Sequence, residues 1–173
     1  MNSDDKQWYA VYTAPRAEKK VSERLTLAGI EHYLPLQKVK RKWSDRVKEI
    51  EVPVINGYIF VSVDPKAFST VTNIYGAIAF VREGGQPVAI PDRQITALRF
   101  MVSHSLELVE YSVESFEKGE PVTIIKGPLE GMIGELIEMK DNHKVIIRLQ
   151  QFGCAITTVP IGFIQKNESN ISK

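Results

Sequence analysis

Trp8-Tyr9-Ala10-Val11-Tyr12, followed by Arg16-Ala17-Glu18-Lys19-Lys20-Val21, is the stretch that decides the fold of the first part of this chain. Its opening residues are aromatic and β-branched, which predicts a strand. Pro15 suits the first turn of a helix, and Gly29 suits its end. Between them, apolar residues recur at helical spacing, at Ala17, Val21, Leu25 and Ala28. The pattern predicts a strand that leads directly into an amphipathic helix.

The following residues continue this alternation of strands and helices. The pattern predicts strands at 30–36, 52–61 and 77–82, a short helix from Asp64 to about Val71, and a second helix from Pro91 with Ile95, Leu98 and Val102 on one face. Residues 37–51 are charged and predict either a protruding hairpin or a loose loop. We expect an α+β domain, in which an antiparallel sheet has flanking helices.

Beyond residue 118 the pattern changes to short strands alone. Five are predicted, at 122–126, 132–139, 143–149, 155–159 and 161–164, with turn residues between them. Short strands at this spacing predict a small all-β barrel, which protects its own edges. The predicted organisation is a first domain at residues 1–106, a linker at 107–117, a barrel domain at 118–167 and a tail at 168–173.

Composition excludes several classes of function. The 173 residues carry a net charge of +1, and no apolar run approaches the roughly 20 residues that a membrane helix needs. The lone cysteine, Cys154, and a polar start without a signal sequence predict a cytoplasmic protein. The three histidines lie in separate segments without metal-ligand spacing. We therefore expect no metal, no cofactor and no enzymatic activity.

Two groups of side chains are candidates for binding. Residues 38–48 hold six basic residues against one acid, together with Trp43, so they form either a solvated hairpin or a nucleic-acid contact through Lys40, Arg41 and Lys42. The predicted strands carry several aromatic residues, among them Tyr12 and Tyr58. These rings either pack in the core or line an exposed apolar pocket, because amphipathic aromatics are typical interface anchors. Periodicity leaves both alternatives open.

Three motifs stand in order along the chain. They are Trp8–Tyr12 with Glu18–Val21, then Pro53-Val54-Ile55-Asn56-Gly57-Tyr58-Ile59-Phe60-Val61, then Gly119–Gly134. Together they resemble the NusG family of transcription elongation factors, in which the first two belong to the N-terminal (NGN) domain and the third is a KOW motif. The resemblance covers nearly everything from Trp8 to Lys166. It implies an NGN domain followed by a small SH3-like KOW barrel.

The resemblance also implies a binding site for RNA polymerase. In the family, the NGN domain binds the clamp helices of the polymerase β′ subunit through an apolar pocket. Tyr12, Ile55 and Tyr58 match positions that line this pocket. Ile55-Asn56 stands where Phe-Pro is usual, so this chain has less aromatic area there. Such a factor holds the clamp closed around DNA and suppresses pausing or termination without making or breaking a bond.

Further roles follow from the same resemblance. Lys20, Arg24 and Tyr75 match positions that face the non-template DNA strand in specialised members, although Tyr75 stands where an arginine can occur. Phe152 matches a KOW residue that docks on ribosomal protein S10 or on termination factor Rho. The basic segment around Trp43 resembles the specialised UpxY- and RfaH-like antiterminators, which implies an operon-specific, monomeric factor. A ribosome- or RNA-binding KOW protein is the alternative.

Overall fold

The structure is a computed structural model that describes residues 6–112, 119–139, 142–149 and 153–167. The chain divides into two compact units, Met1–Ile95 and Thr96–Lys173. The division falls within a helix, and the predicted linker and tail lie partly or wholly outside the described residues, so the predicted domain limits stay a prediction. Among the described helices, none is long and apolar enough to cross a membrane.

The first unit is a sheet with helices and two small hairpins. Its elements are β1 (Gln7–Thr13), α1 (Glu18–Leu27), β2 (His32–Tyr33), β3 (Leu36–Lys42), β4 (Val47–Pro53), β5 (Tyr58–Val63), a 3₁₀ turn (Pro65–Ala67), α2 (Phe68–Thr72), β6 (Ala77–Phe80), β7 (Arg82–Glu83), β8 (Gln86–Pro87), β9 (Ala89–Ile90) and the start of α3 (Asp92–His104). The sheet has the order β2-β5-β1-β6, with β9 also paired to β1, and its pairs are antiparallel. β3 pairs with β4 and β7 pairs with β8, each as a separate hairpin.

The helix α1 packs its apolar stripe against one face of the sheet. Val21 and Leu25 are fully buried, in a cluster that includes Tyr9 and Val11 of β1. Gly29 has a φ of +67°, in the left-handed region that glycine adopts without strain, and the helix ends just before it. The strand and helix predicted at the start of the chain are therefore confirmed.

The single strand predicted over residues 52–61 is wrong. The run is divided between the end of β4 at Pro53 and the start of β5 at Tyr58. Proline has no N–H to continue a ladder, and Gly57 has a φ of +80°, so the chain turns between the two strands. Val54 and Ile55 in this turn are nevertheless buried. Their hydrophobicity gave the run its strand-like appearance.

The second unit is dominated by an antiparallel sheet. Its strands are β10 (Glu110–Ser112), β11 (Glu120–Ile124), β12 (Ile133–Met139), β13 (Asn142–Arg148), β14 (Cys154–Thr158) and β15 (Ile164–Lys166). The order is β10-β14-β13-β12-β11-β15. Val122, Val145 and Ile146 are fully buried at its core. An all-β second part was predicted and is confirmed, but β10 was missed, and residues 161–163 form a 3₁₀ turn where strand was expected.

Candidate functional site

Two tyrosines, one exposed and one half-buried, form a pair at one end of the first unit's sheet. Tyr12 of β1 lies directly opposite Tyr58 of β5 in the antiparallel register, so both side chains point to the same face. Their ring centroids are 4.7 Å apart and the rings are tilted by 42°. Tyr12 remains 41% exposed, whereas Trp8 and Ala10, the preceding β1 residues on this face, are buried. Tyr12, with the half-buried Tyr58 beside it, therefore offers ring surface that a partner can reach.

The electrostatics of the pair suit recognition and do not suit proton transfer. Burial, and then a hydrogen bond with the Tyr12 hydroxyl, raise the pKa of Tyr58 to about 12. Tyr58 is consequently a neutral phenol at physiological pH. The pair presents apolar ring surface together with phenol hydroxyl groups, which is the amphipathic chemistry of an interface anchor.

Ile55, the third residue predicted for this site, has a different environment. It lies in the turn before β5 and is fully buried in this structure. Its side chain therefore supports the turn from within, while the surface open to a partner is that of Tyr12 and Tyr58. The structure thus brings the two tyrosines together and places Ile55 in the core of the same turn.

A buried carboxylate anchors this turn, and the sequence reasoning missed it. Glu18, the first residue of α1, is only 6% exposed. The backbone N–H of Gly57 donates a 2.7 Å hydrogen bond to Glu18 Oε1. The Gly57 carbonyl in turn accepts a 2.8 Å hydrogen bond from the Thr13 N–H. Gly57 directly precedes Tyr58, and both its N–H and its carbonyl are hydrogen-bonded. The N–H binds Glu18 on α1, and the carbonyl binds Thr13, the residue after Tyr12.

A signal for Glu18 was present in the sequence. Glu18, Val21 and Leu25 are the buried residues of α1, and they follow helical spacing. An acidic residue on an otherwise apolar stripe needs a polar partner within the fold, because an unpaired buried charge is costly. The pattern could therefore have predicted a buried hydrogen bond, although it could not have named Gly57 as the donor.

A second cluster joins α1 to the turn before β6. The Arg24 Nη1 donates a 2.6 Å hydrogen bond to the Tyr75 carbonyl. The guanidinium of Arg24 also lies 5.0 Å from the centroid of the Tyr75 ring, which is cation–π geometry. Tyr75 is 82% exposed, and Lys20 is exposed one helical turn before Arg24. The structure thus brings together the three residues predicted to contact the non-template strand.

The basic segment forms the hairpin of β3 and β4, so the hairpin alternative for residues 37–51 is confirmed. Lys42 pairs with Val47, and the Trp43 N–H donates to the Arg46 carbonyl at 2.7 Å, which leaves a two-residue tip. At the base of the hairpin, Lys19 Nζ of α1 donates to the Glu51 carbonyl at 2.9 Å. The predicted nucleic-acid residues Lys40, Arg41 and Lys42 are all exposed on this hairpin.

The described part of the second unit contains fewer candidate site residues than the first unit. Phe152, the predicted KOW docking residue, lies outside the described residues, so its role stays a prediction. Burial raises the pKa of the Cys154 thiol, which is therefore a protonated core group and a poor nucleophile. Within the described ranges, no group of three or more His, Cys, Asp or Glu side chains could hold a metal ion.

The family comparison identifies the group to which this architecture belongs. Residues 6–99, more than half of the chain, match the family model described as "Transcription termination factor nusG". The chain belongs to the NusG family. Its first unit is therefore an NGN domain, and the predicted fold of an α+β NGN domain followed by a small all-β KOW domain is confirmed.

Individual NusG relatives are distant but cover nearly the whole chain. The transcription termination/antitermination protein NusG of Rickettsia typhi is 26% identical, over 94% of this chain and 91% of its own length. NusG of Streptococcus pyogenes serotype M3 is 27% identical, over 88% of this chain and 91% of its own length. A solved structure of Thermotoga maritima NusG has a TM-score of 0.55 and 22% identity, over 96% of this chain and 100% of that one, and supports the fold. The NusG family comprises transcription factors, which fits the expectation that this chain is not an enzyme.

Proposed function

We propose that this chain is an elongation or antitermination factor that binds the β′ clamp helices of RNA polymerase through the surface around Tyr12 and Tyr58. The observation that carries the proposal is the tyrosine pair, in which the exposed Tyr12 and the half-buried Tyr58 are held in register between β1 and β5. Tyrosine is enriched in binding hot spots because it supplies a large rigid ring and one polar tip. Ile55, buried in the same turn, would support this surface from within.

The proposed action is a shift between conformations of the polymerase. A factor that binds the closed clamp more tightly than the open one favours the closed, elongating state by its difference in affinity. Pausing and termination then become less frequent without any chemical step in the factor. This action agrees with the raised pKa of Tyr58, which keeps its phenol neutral and without a role in proton transfer at physiological pH.

Nucleic-acid contacts form a second part of the proposal. The cluster of Lys20, Arg24 and Tyr75 combines cations with an exposed ring, which suits a single DNA strand. The β3–β4 hairpin supplies a second basic surface on the same unit, on the side that carries Arg41; by strand alternation the neighbouring Lys40 and Lys42 point to the opposite side. We assign the non-template strand to these surfaces. The chain would thereby act at particular operons, as a specialised NusG paralogue.

The KOW domain would contribute a further partner. Under this proposal it recruits ribosomal protein S10 or Rho through the loop that contains Phe152. The β-branched residues of β13 and β14, such as Val145, Ile146 and Thr157, favour a stable sheet over a helical alternative. The whole protein would act as a monomer in the cytoplasm, where it meets the transcribing polymerase.

The test is a binding titration of the full chain against core RNA polymerase without nucleic acid. Tyr58→Ala is expected to weaken binding about 30-fold, which corresponds to roughly 2 kcal/mol for a hot-spot residue. Tyr58→Phe, which keeps the ring, should lose much less. Tyr75→Ala is the matched control, because it removes an exposed tyrosine of the same unit outside the proposed polymerase site.

Two results would overturn the assignment. Normal binding by a folded Tyr58→Ala variant would show that the tyrosine pair is not the polymerase site. An absence of binding by the wild-type chain would remove polymerase as the direct partner. The same titration against ribosomal particles would then become the informative measurement, since the alternative is a ribosome- or RNA-binding KOW protein.

A further inference from the structure

The register of the β3–β4 hairpin separates its charges onto two faces. Residues that pair directly across an antiparallel hairpin point to the same side, and successive residues alternate. Lys38 pairs with Glu51, and Lys40 pairs with Glu49, so one face alternates cations with carboxylates across the strands. On this face Lys38 Nζ also lies 3.3 Å from Glu49 Oε1. We call it the paired face; it further holds Lys42.

The other face has a different composition. Val39 pairs with Ile50 near its base, and Arg41 pairs with Lys48 nearer the tip. Two like charges are thus placed directly opposite each other, an arrangement that destabilises a hairpin. In the part of the chain that the structure describes, neither Arg41 nor Lys48 forms an ion pair. We call this side the cationic face.

The tip adds an aromatic ring and a third cation to the cationic face. Trp43 and Arg46 continue the ladder through a 2.7 Å backbone hydrogen bond, so by alternation they share the face of Arg41 and Lys48. Trp43 is 55% exposed. Arg46 Nε lies 3.9 Å from the carboxylate of Asp45 in the turn, and both side chains of this pair are about 70% exposed. Such an exposed pair contributes little.

Stability alone does not account for this arrangement. On the paired face two of the three cations lie opposite a carboxylate, which is the arrangement that stabilises a hairpin. The cationic face instead carries a repulsive cross-strand pair and an exposed tryptophan. Arginine and lysine side chains that bind successive phosphates, beside a ring on which a base stacks, form the usual surface for single-stranded nucleic acid.

We infer that the cationic face of the β3–β4 hairpin binds single-stranded nucleic acid, with Arg41, Lys48 and Arg46 on the phosphates and Trp43 stacked on a base. Lys40 and Lys42, on the paired face, take no direct part. This inference rests on the nucleic-acid part of the proposed function and refines it. It is independent of the assignment of the tyrosine pair to polymerase, because it concerns a different surface.

The test compares two double variants that remove equal charge from the two faces. Binding of the full chain to a fluorescent oligothymidine of about 20 nucleotides is measured over a range of salt concentrations. The double variant Arg41→Gln with Lys48→Gln is expected to make the negative slope of log affinity against log salt shallower by about 1.4. Each phosphate contact on a single strand contributes about 0.7 to the magnitude of this slope. Lys40→Gln with Lys42→Gln should leave the slope unchanged.

The aromatic contact has its own pair of variants. Trp43→Ala is expected to weaken oligothymidine binding about 5- to 150-fold, the range for loss of one stacked base. Trp43→Phe should retain most of the affinity because it keeps a ring. A duplex of the same length, which offers no unstacked base, should be insensitive to Trp43→Ala. Oligouridine should behave like oligothymidine, since the recognised chemistry is shared by DNA and RNA.

Three results would overturn the inference. Equal losses of slope in the two double variants would mean that total charge, and not the cationic face, determines binding. Failure of the wild-type chain to bind oligothymidine at about 50 mM salt would remove the site altogether. Equal effects of Trp43→Ala on single strand and duplex would exclude stacking. In each case the polymerase titration with Tyr58→Ala still reports separately on the tyrosine pair.

Discussion

Replacement of Glu18 by alanine tests how the tyrosine pair is held. Glu18 is 6% exposed, and within the described residues the one hydrogen bond to its side chain comes from the Gly57 N–H, at 2.7 Å from Oε1. Alanine removes this charge-assisted bond and leaves the Gly57 N–H without its acceptor. A hydrogen bond to a charged group contributes about 1.5–3 kcal/mol, so we expect the free energy of unfolding to fall by roughly 2 kcal/mol.

The assay is urea unfolding of the full chain, followed by tryptophan fluorescence, with two comparison variants. Glu18→Gln keeps an oxygen acceptor without the charge and should recover about half of the loss. Glu23→Ala removes an exposed glutamate from the same helix and should change stability by less than about 0.5 kcal/mol.

Binding to polymerase is the second measurement on these variants. If Glu18 positions Tyr58 through Gly57, Glu18→Ala should weaken binding at temperatures where it is fully folded, and Glu18→Gln should restore most of the affinity. A Glu18→Ala variant as stable as Glu23→Ala would refute the reasoning about the turn. Normal polymerase binding by a destabilised Glu18→Ala variant would confine the role of Glu18 to stability.

Two further predictions concern the same unit. Gly76→Ala should lower the free energy of unfolding by about 1–3 kcal/mol, because Gly76 has a φ of +98° and a Cβ there would lie 2.9 Å from the buried Val21 Cγ2. Gly84→Ala is the control. Gly84 also has a positive φ, +55°, but a Cβ there would meet open space. The phenol of Tyr58 should titrate at about pH 12, in a step of a tyrosine absorbance titration that Tyr58→Phe removes. Because this folded-state pKa exceeds the ordinary value of 10, the stability that Tyr58 contributes is present below about pH 10 and is lost as the pH rises to about 12.

Much of the first unit could be predicted from local pattern. The helical spacing of Val21 and Leu25 reports which side of α1 meets the sheet, and the structure buries both side chains. Turn residues and β-branched runs likewise predicted an all-β second part. Local pattern failed where buried apolar residues lie in a turn, and where a strand depends on a partner distant in sequence. Val54 and Ile55 are buried in a turn, and β10 forms only because β14 pairs with it.

The tertiary structure decided which residues contact one another. The sequence by itself determined the opening strand and helix, the all-β character of the second part and the density of charge over residues 38–48. Only the paired strands place Tyr12 beside Tyr58, and only the fold brings Glu18 to Gly57, 39 residues away. The division of the hairpin cations also depends on register, because a shift of one residue would move every side chain to the opposite face. Local periodicity specifies which face of an element is apolar, whereas long-range pairing specifies its neighbours.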